Sequence, residues 1–220
     1  MANAEEVVRY LQDNPGFFEE YAELLAQIYI PHPHGGRAIP IAERQILTLR
    51  EKSKMLEGKL AELIQFGEEN DAIGEKMHRL CLALLPAGEL QAALQALYYN
   101  LREDFAVPHA ALRLWRADGG AAAGEGPEFA PVSAELRSHA AGLDHPVCGA
   151  DSNPEVLAWF GDTAAQLRSA ASIPLRGADK ACIGMLVLAS EDAKRFYPEM
   201  GTLYLQRLGE LLSAALERHL

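Results

Sequence analysis

No run of eighteen apolar residues occurs in this 220-residue chain, although 49% of its residues are hydrophobic. A helix needs about twenty apolar residues to cross a bilayer, so the sequence predicts no transmembrane span. The first residues, Met-Ala-Asn-Ala-Glu-Glu, lack the basic and apolar regions of a secretory signal. We therefore expect a soluble globular protein of the cytoplasm.

Cysteine is scarce, and the three cysteines Cys81, Cys148 and Cys182 are widely spaced. An odd number without a C-x-x-C pair argues against a disulfide framework and against a zinc site, and it fits a reducing compartment. His32 and His34 form a His-x-His pair, but a metal site needs a further ligand and none lies nearby in the sequence. We expect no metal.

Basic residues are outnumbered, and the formal net charge is −11. An acidic chain repels the phosphates of nucleic acids and of anionic lipids, so neither is expected as a direct partner. The sequence also lacks a phosphate-binding P-loop, a dinucleotide fingerprint and a Gly-x-Ser-x-Gly elbow. No enzyme class is indicated by these motifs.

The first part of the chain, residues 1–38, reads as a helical region. Asn3 and Glu6 have the spacing of a capping box, which predicts a first helix. Asn14 followed by Pro15 predicts the start of a second helix, since proline is favoured at the first helical position. The Pro- and Gly-rich run after Ile30 predicts a loop.

Residues 39–85 predict one long helix with a coiled-coil pattern. The three glycines Gly58, Gly67 and Gly74 each weaken a helix by about 1 kcal/mol, so a kink or break is expected near Gly67–Gly74. Two interpretations stay open: a dimerisation stalk, or a helical hairpin packed on the first two helices. The seam in alternate steps of three and four residues is Ile46, Leu49, Ser53, Leu56, Leu60 and Leu63.

Residues 86–220 predict an α+β domain. A helix from Leu90, a strand from His109 to Arg116 and short helices begun by Ser133 and Asn153 precede a hairpin and a closing helix. The last strand is apolar on both faces, with Ile183, Met185, Val187 and Ala189 on one side and Cys182, Gly184, Leu186 and Leu188 on the other. Such a strand indicates an antiparallel sheet that is covered on both faces, with a cavity under a lid.

Several short segments carry a family resemblance. The stretch Ile183–Ser190 followed by Arg195-Phe196 resembles the end of a GAF domain, a relative of PAS. The whole chain is similar to the bacterial domain-of-unknown-function family 484, through Asn14–Phe18, Cys148-Gly149 and Ser169–Leu175 among others. The resemblance implies a GAF-like domain, which binds a small effector or dimerises, and it carries over no catalytic residue.

Four residues are candidates for a ligand site. Arg113 and Trp115 share the strand face opposite Leu112, and would offer a cation and an aromatic plate to a carboxylate, phosphate or planar ring. Trp159 would close over a ligand, and Cys148 is placed in the lid. The plainer interpretation is that the two tryptophans belong to a second core and that Arg113 pairs with a carboxylate.

Cys148 also raises an enzymatic alternative, because His145 lies three residues before it. A nucleophilic thiolate needs such a base, but a reductase also needs a resolving cysteine and none is near. A small buried thiol is the plainer interpretation.

Three functions therefore remain open. The first is a small-molecule sensor of unknown ligand that dimerises through its stalk and signals through a protein partner. The second is a ligand-free dimerisation or adaptor module. The third is a small redox enzyme that uses Cys148. The sensor is the leading interpretation, and because no output domain is recognised in the sequence, it requires a partner.

Overall fold

A computed structural model describes residues 3–32, 35–116, 124–150 and 153–219 of the chain. These residues form two compact units, which divide between Glu68 and Glu69. His34, one half of the His-x-His pair, lies outside the described residues. The predicted domain limits 1–38, 39–85 and 86–220 stay predictions.

The chain begins with three short helices, α1 (Ala4–Asp13), α2 (Phe17–Glu20) and α3 (Ala22–Gln27). The backbone N–H of Asn3 donates to the Glu6 carboxylate at 3.0 Å, as expected for a capping box. The predicted second helix is interrupted at Tyr21, and its N-cap is Gly16 rather than Asn14.

The loop predicted after Ile30 is instead an antiparallel pair of strands, β1 (Tyr29–His32) and β2 (Gly35–Pro40). Ile30 pairs with Ile39 in this ribbon. Proline and glycine suggested a loop, but each strand of a two-stranded ribbon has a free edge. A proline on such an edge leaves no ladder hydrogen bond unmade.

Helix α4 (Ile41–Leu84) runs through 44 residues without interruption. The break expected near Gly67–Gly74 is therefore wrong, and the kink given as its alternative stays a prediction. Each glycine lowers helix stability by only about 1 kcal/mol, and an uninterrupted helix keeps all of its backbone hydrogen bonds.

The second unit is built on a four-stranded antiparallel sheet. Its strands, in chain order, are β3 (His109–Leu114), β4 (Val147–Gly149), β5 (Ser169–Arg176) and β6 (Cys182–Ser190), and their order across the sheet is β3-β6-β5-β4. The helices of this unit after α4 are α5 (Leu90–Glu103), α6 (Ala134–Gly142), α7 (Pro154–Ala158) and α8 (Leu203–Leu216). The predicted α+β class and the long helix before an antiparallel sheet are confirmed.

Both faces of the sheet are covered, as the apolar final strand predicted. The first-face cluster joins Leu112, Ile173 and Leu186 to Leu80 of α4 and Leu212 of α8. The second-face cluster consists mainly of Trp115, Leu136, Ala140, Val156, Ala170, Met185, Val187 and Ala189. The sheet is thus the middle layer between two separate apolar cores.

A register shift corrects the predicted faces at the start of β6. Leu175 pairs with Gly184, but the next residue, Arg176, pairs with Cys182, so Ile183 is an extra residue on β6. A bulge of this kind reverses the alternation of side chains beyond it. Ile183 consequently packs in the first-face cluster and Cys182 against the second, the opposite of the prediction.

Candidate functional site

The second face of the sheet is the face that was predicted to hold a ligand. Leu136 and Ala140 of α6 and Val156 of α7 belong to the core on this face. Ser133 is the N-cap of α6, and its hydroxyl accepts a hydrogen bond from the Leu136 N–H at 3.1 Å. The same hydroxyl donates to the Glu155 carboxylate at 2.5 Å, and the Ser133 N–H donates to it at 2.8 Å. These bonds tie the beginning of α6 to the first turn of α7.

Around Trp115, side chains fill the space over the second face of the sheet. Trp115, Met185 and Val187 are buried there, with Trp159 and Phe160 packed against them. The indole N–H of Trp115 donates to the Cys182 carbonyl at 2.7 Å. Trp115 thus lies where a cavity was expected, and it serves as a core residue that fixes the end of β3 to β6.

Arg113 is only 8% exposed and lies at the edge of the sheet. Its Nη1 donates to the Leu112 carbonyl at 2.9 Å, and its Cζ lies 4.8 Å from the centre of the Trp159 ring. Loss of hydration through burial lowers the pKa of the guanidinium, while the nearby Tyr98 and Glu128 favour its charged form. A cation over an indole face is itself a favourable contact.

The neighbouring Glu128 is also buried, and it accepts a hydrogen bond from the Tyr98 hydroxyl at 2.8 Å. Burial raises the pKa of Tyr98, and the Glu128 carboxylate raises it further. The cation of Arg113 is therefore compensated by a carboxylate of the same chain. Arg113 thus satisfies the Leu112 carbonyl in β3, the outer strand of the described sheet, and a charged group on such a strand hinders the addition of another strand.

Cys148 does not join the other three candidate residues. It lies in β4, pairs with Ala171 of β5 and packs in the first-face cluster. Its placement in a lid is therefore wrong. The sequence did not reveal β4, because a three-residue strand is too short to show an alternating pattern. Burial raises the pKa of the Cys148 thiol, whereas a nucleophilic cysteine needs a lowered pKa. His145 is exposed.

A cleft of about 300 Å³ lies beside β4 on the second unit. Its polar groups come from His139 of α6, Asn153 before α7 and Ser172 of β5, and Cys148 lies in its wall. Sequence reasoning did not find His139 or Ser172, since neither residue belongs to a motif. A second cleft of about 330 Å³ is lined by Trp115 and Arg137 among others.

Among residues 3–32, 35–116, 124–150 and 153–219, no group of three or more His, Cys, Asp or Glu side chains is placed to hold a metal ion. Within the same residues, none of the helices combines the length and the apolar character that a bilayer crossing requires.

The chain is similar to several known proteins and matches one family model. Two curated relatives are the uncharacterized protein YigA of Shigella flexneri and that of Escherichia coli strain K12, each 26% identical over 96% of this chain and 90% of the relative. The crystal structure of a GAF domain from Pseudomonas syringae pv. tomato matches at 22% identity and a TM-score of 0.46, over 70% of this chain and 93% of that one. The description of the matching family is "Protein of unknown function, DUF484", and the match spans residues 1–220. The chain belongs to the DUF484 family.

Proposed function

We propose that this protein is a regulatory adaptor that works as a dimer, with α4 as its pairing element and the sheet domain as the part that meets a protein partner. The cytoplasm is its proposed location, which three unpaired cysteines support. The exposed apolar seam of α4 is the observation that carries the proposal.

The seam residues Ile46, Leu49, Leu56, Leu60 and Leu63 are between 50% and 66% exposed in the single chain. The helical residues from Glu51 to Asn70 are exposed without exception. A helix gains most of its stability in proteins from packing of an apolar face, and no described residue of the chain supplies such packing to this stretch. Burial of the seam against a partner would supply it, at roughly 25 cal/mol for each Å² of apolar surface.

The alternative of a helical hairpin packed on α1 and α2 does not agree with this exposure, because such a hairpin would bury the seam. The packed side chains around Trp115 support an adaptor over a sensor that binds its ligand at Arg113, Trp115 and Trp159. Trp115, Met185 and Val187 are buried together in the core on the second face of the sheet.

The dimer is tested by placing a charge in the seam. Leu60→Asp puts a carboxylate at a seam position, whereas Ala61→Asp puts the same charge one residue away on the exposed flank of the helix. Sedimentation equilibrium at micromolar concentration is expected to give a dimer for the wild type and for Ala61→Asp, and a monomer for Leu60→Asp. A wild-type monomer at tens of micromolar would contradict the proposal.

Small-molecule sensing is a second candidate function, and the cleft beside β4 favours it. A volume of about 300 Å³ is at the lower end of ligand pockets, and an imidazole, an amide and a hydroxyl converge there. Because Asn153 also caps α7, a bound ligand would contact the start of that helix.

Native mass spectrometry of protein purified from its own cells tests the second candidate. Ser172→Leu would fill the cleft beside β4, and Ser138→Leu would place the same side chain in the other cleft. Sensing at the first cleft predicts a retained mass in the wild type and in Ser138→Leu that Ser172→Leu loses. Its persistence in Ser172→Leu would exclude this cleft as the site.

A further inference from the structure

We infer that the two copies pair through α4 in parallel and in register, with Lys52 of each copy opposite Glu57 of the other. This inference rests on the proposed dimer and adds its orientation. The exposed face of residues 46–66 carries it, because the charges beside the apolar seam suit one orientation and oppose the other.

The seam assigns every residue of this stretch to a heptad position. Ile46, Ser53 and Leu60 take the a positions, while Leu49, Leu56 and Leu63 take the d positions. The flanking g and e positions are Gln45, Lys52 and Lys59 at g, and Arg50, Glu57 and Ile64 at e.

In a parallel pair, each g residue faces the e residue five positions further along the other copy. Lys52 then lies opposite Glu57 of the partner copy, and this attraction occurs twice by symmetry. Gln45 faces Arg50 without repulsion, and Lys59 faces Ile64, over which its methylene stem can lie. Every flanking contact within these three heptads is attractive or neutral.

In an antiparallel pair, g residues face g residues and e residues face e residues. With the seam fully overlapped, Lys52 lies opposite Lys59 of the other copy, and this repulsion occurs twice. The two Arg50–Glu57 contacts of that arrangement do no more than offset it. The parallel pair is the one in which attraction is not cancelled.

Ser53 fixes the register. It is the one polar residue among the six seam positions from Ile46 to Leu63. In register, Ser53 lies opposite Ser53, whereas a slip of one heptad places it against Ile46 or Leu60, and an antiparallel pair places it against Leu56. A single polar residue at an a position specifies register in this way. Its hydroxyl donates to Glu57 of its own helix at 3.1 Å, so the pair leaves no hydroxyl unsatisfied.

The local charge also permits self-association of an acidic chain. The formal net charge is −11, yet the stretch from Arg44 to Phe66 contains five basic and three acidic residues. Two copies that meet along this stretch bring together surfaces of low net charge. The acidic residues that make the whole chain negative lie outside this contact.

Cysteine cross-linking tests the orientation in the full chain. Leu56→Cys is expected to form a disulfide dimer under mild oxidation, because equal d positions meet across a parallel seam. Glu51→Cys, at the outermost f position, is the matched control and should stay monomeric on a non-reducing gel, like the wild type with its three native cysteines. A mixture of Ser53→Cys and Leu56→Cys chains should form no mixed disulfide. A mixed product in place of the Leu56→Cys dimer would show an antiparallel pair and overturn the inference.

Charge reversal gives an independent test with opposite signs for the two orientations. In a parallel pair, Lys52→Glu places the new carboxylate of each copy opposite Glu57 of the other. Both contacts become repulsive, which should raise the dimer dissociation constant about tenfold. In an antiparallel pair the same change removes a repulsion and should lower it. Lys54→Glu makes the same charge change at an outer b position and should have no effect.

Mixing Lys52→Glu with Glu57→Lys should restore wild-type affinity in a heterodimer, because both flanking pairs become attractive again. Tighter association of Lys52→Glu alone would overturn the inference. The two failures are distinguishable: a monomeric wild type contradicts the proposed dimer itself, while a dimer with antiparallel cross-links contradicts only its orientation.

Discussion

Strand β6 and the middle of helix α4 are both rich in large apolar residues, but their surroundings are opposite. Eight of the nine residues of β6 are buried, because helices cover the sheet on both faces. In α4, every residue from Glu51 to Asn70 is exposed, including Leu56, Leu60 and Leu63. Apolar content alone therefore does not identify a core in this chain. The strand is covered within one copy, and the proposed dimer would cover the helix.

The largest expected effect comes from the buried side of this comparison. Leu186 of β6 has no exposed surface, so Leu186→Ala should lower the free energy of unfolding by about 3 kcal/mol through lost burial and a residual cavity. The measurement is the urea midpoint followed by circular dichroism. Leu203→Ala, at an exposed leucine of α8, is the control and should change it little. Equal losses for both variants would contradict the packing described for β6.

The exposed side of the comparison predicts an effect on association. Leu56→Ala should weaken the dimer by about 2 kcal/mol, because each of two copies loses part of a leucine contact. Met55→Ala removes a side chain of similar size and exposure that lies outside the seam, and it should leave the dissociation constant unchanged. Sedimentation equilibrium measures both. A similar weakening by Met55→Ala would show that the apolar surface pairs without a defined seam.

The sequence predicted the main feature of both regions, but it did not predict the details of strand pairing. The seam of α4 follows from the spacing of Ile46 to Leu63, and the doubly covered sheet follows from the two apolar faces of β6. The bulge at Ile183 was not predictable, because β6 is apolar on both faces and a shift of one residue leaves the pattern equally apolar. The pairing of β1 with β2 was missed because Pro and Gly are read locally as breakers.

The candidate site shows a similar limit. Alternation along β3 placed Arg113 and Trp115 on one face, as the structure has them. Burial of Arg113 beside Tyr98 and Glu128 depends on contacts between residues far apart in the chain, and no periodic pattern reports such contacts. Cys148 was misplaced for a related reason, since β4 is defined by its pairing with β5 more than by its own three residues.

A smaller effect is expected at the edge of the sheet. Tyr98→Phe removes the hydrogen bond to the buried Glu128 carboxylate and should cost about 1–2 kcal/mol of unfolding free energy. Tyr99→Phe, at the exposed neighbouring residue, is the control and should cost nothing measurable. If neither variant changed the free energy of unfolding, the Tyr98–Glu128 hydrogen bond would not contribute to the stability of the fold.

The pH dependence of stability tests the same contact. The folded chain holds the pKa of Tyr98 above its ordinary value of 10, so above pH 10 the unfolded chain releases a proton that the folded chain retains. The contribution of Tyr98 is therefore complete below pH 10 and is lost as the pH rises further. The urea midpoint of the wild type should fall in this alkaline range more steeply than that of Tyr98→Phe. Parallel curves for the two proteins would contradict the raised pKa.

The smallest structural effect is expected at Cys148, where the prediction concerns reactivity. If β4 belongs to the buried sheet, iodoacetamide at pH 7.5 should modify Cys148 at least about tenfold more slowly than a peptide thiol, since burial restricts access and raises the thiol pKa. Cys81 of α4, which is half-buried, serves as the internal comparison, and peptide mass spectrometry measures both rates. Modification of Cys148 faster than a peptide thiol would require an activated thiolate near His145. That result would show that the Cys148 thiol is accessible and reactive, and it would support the redox enzyme as a candidate function.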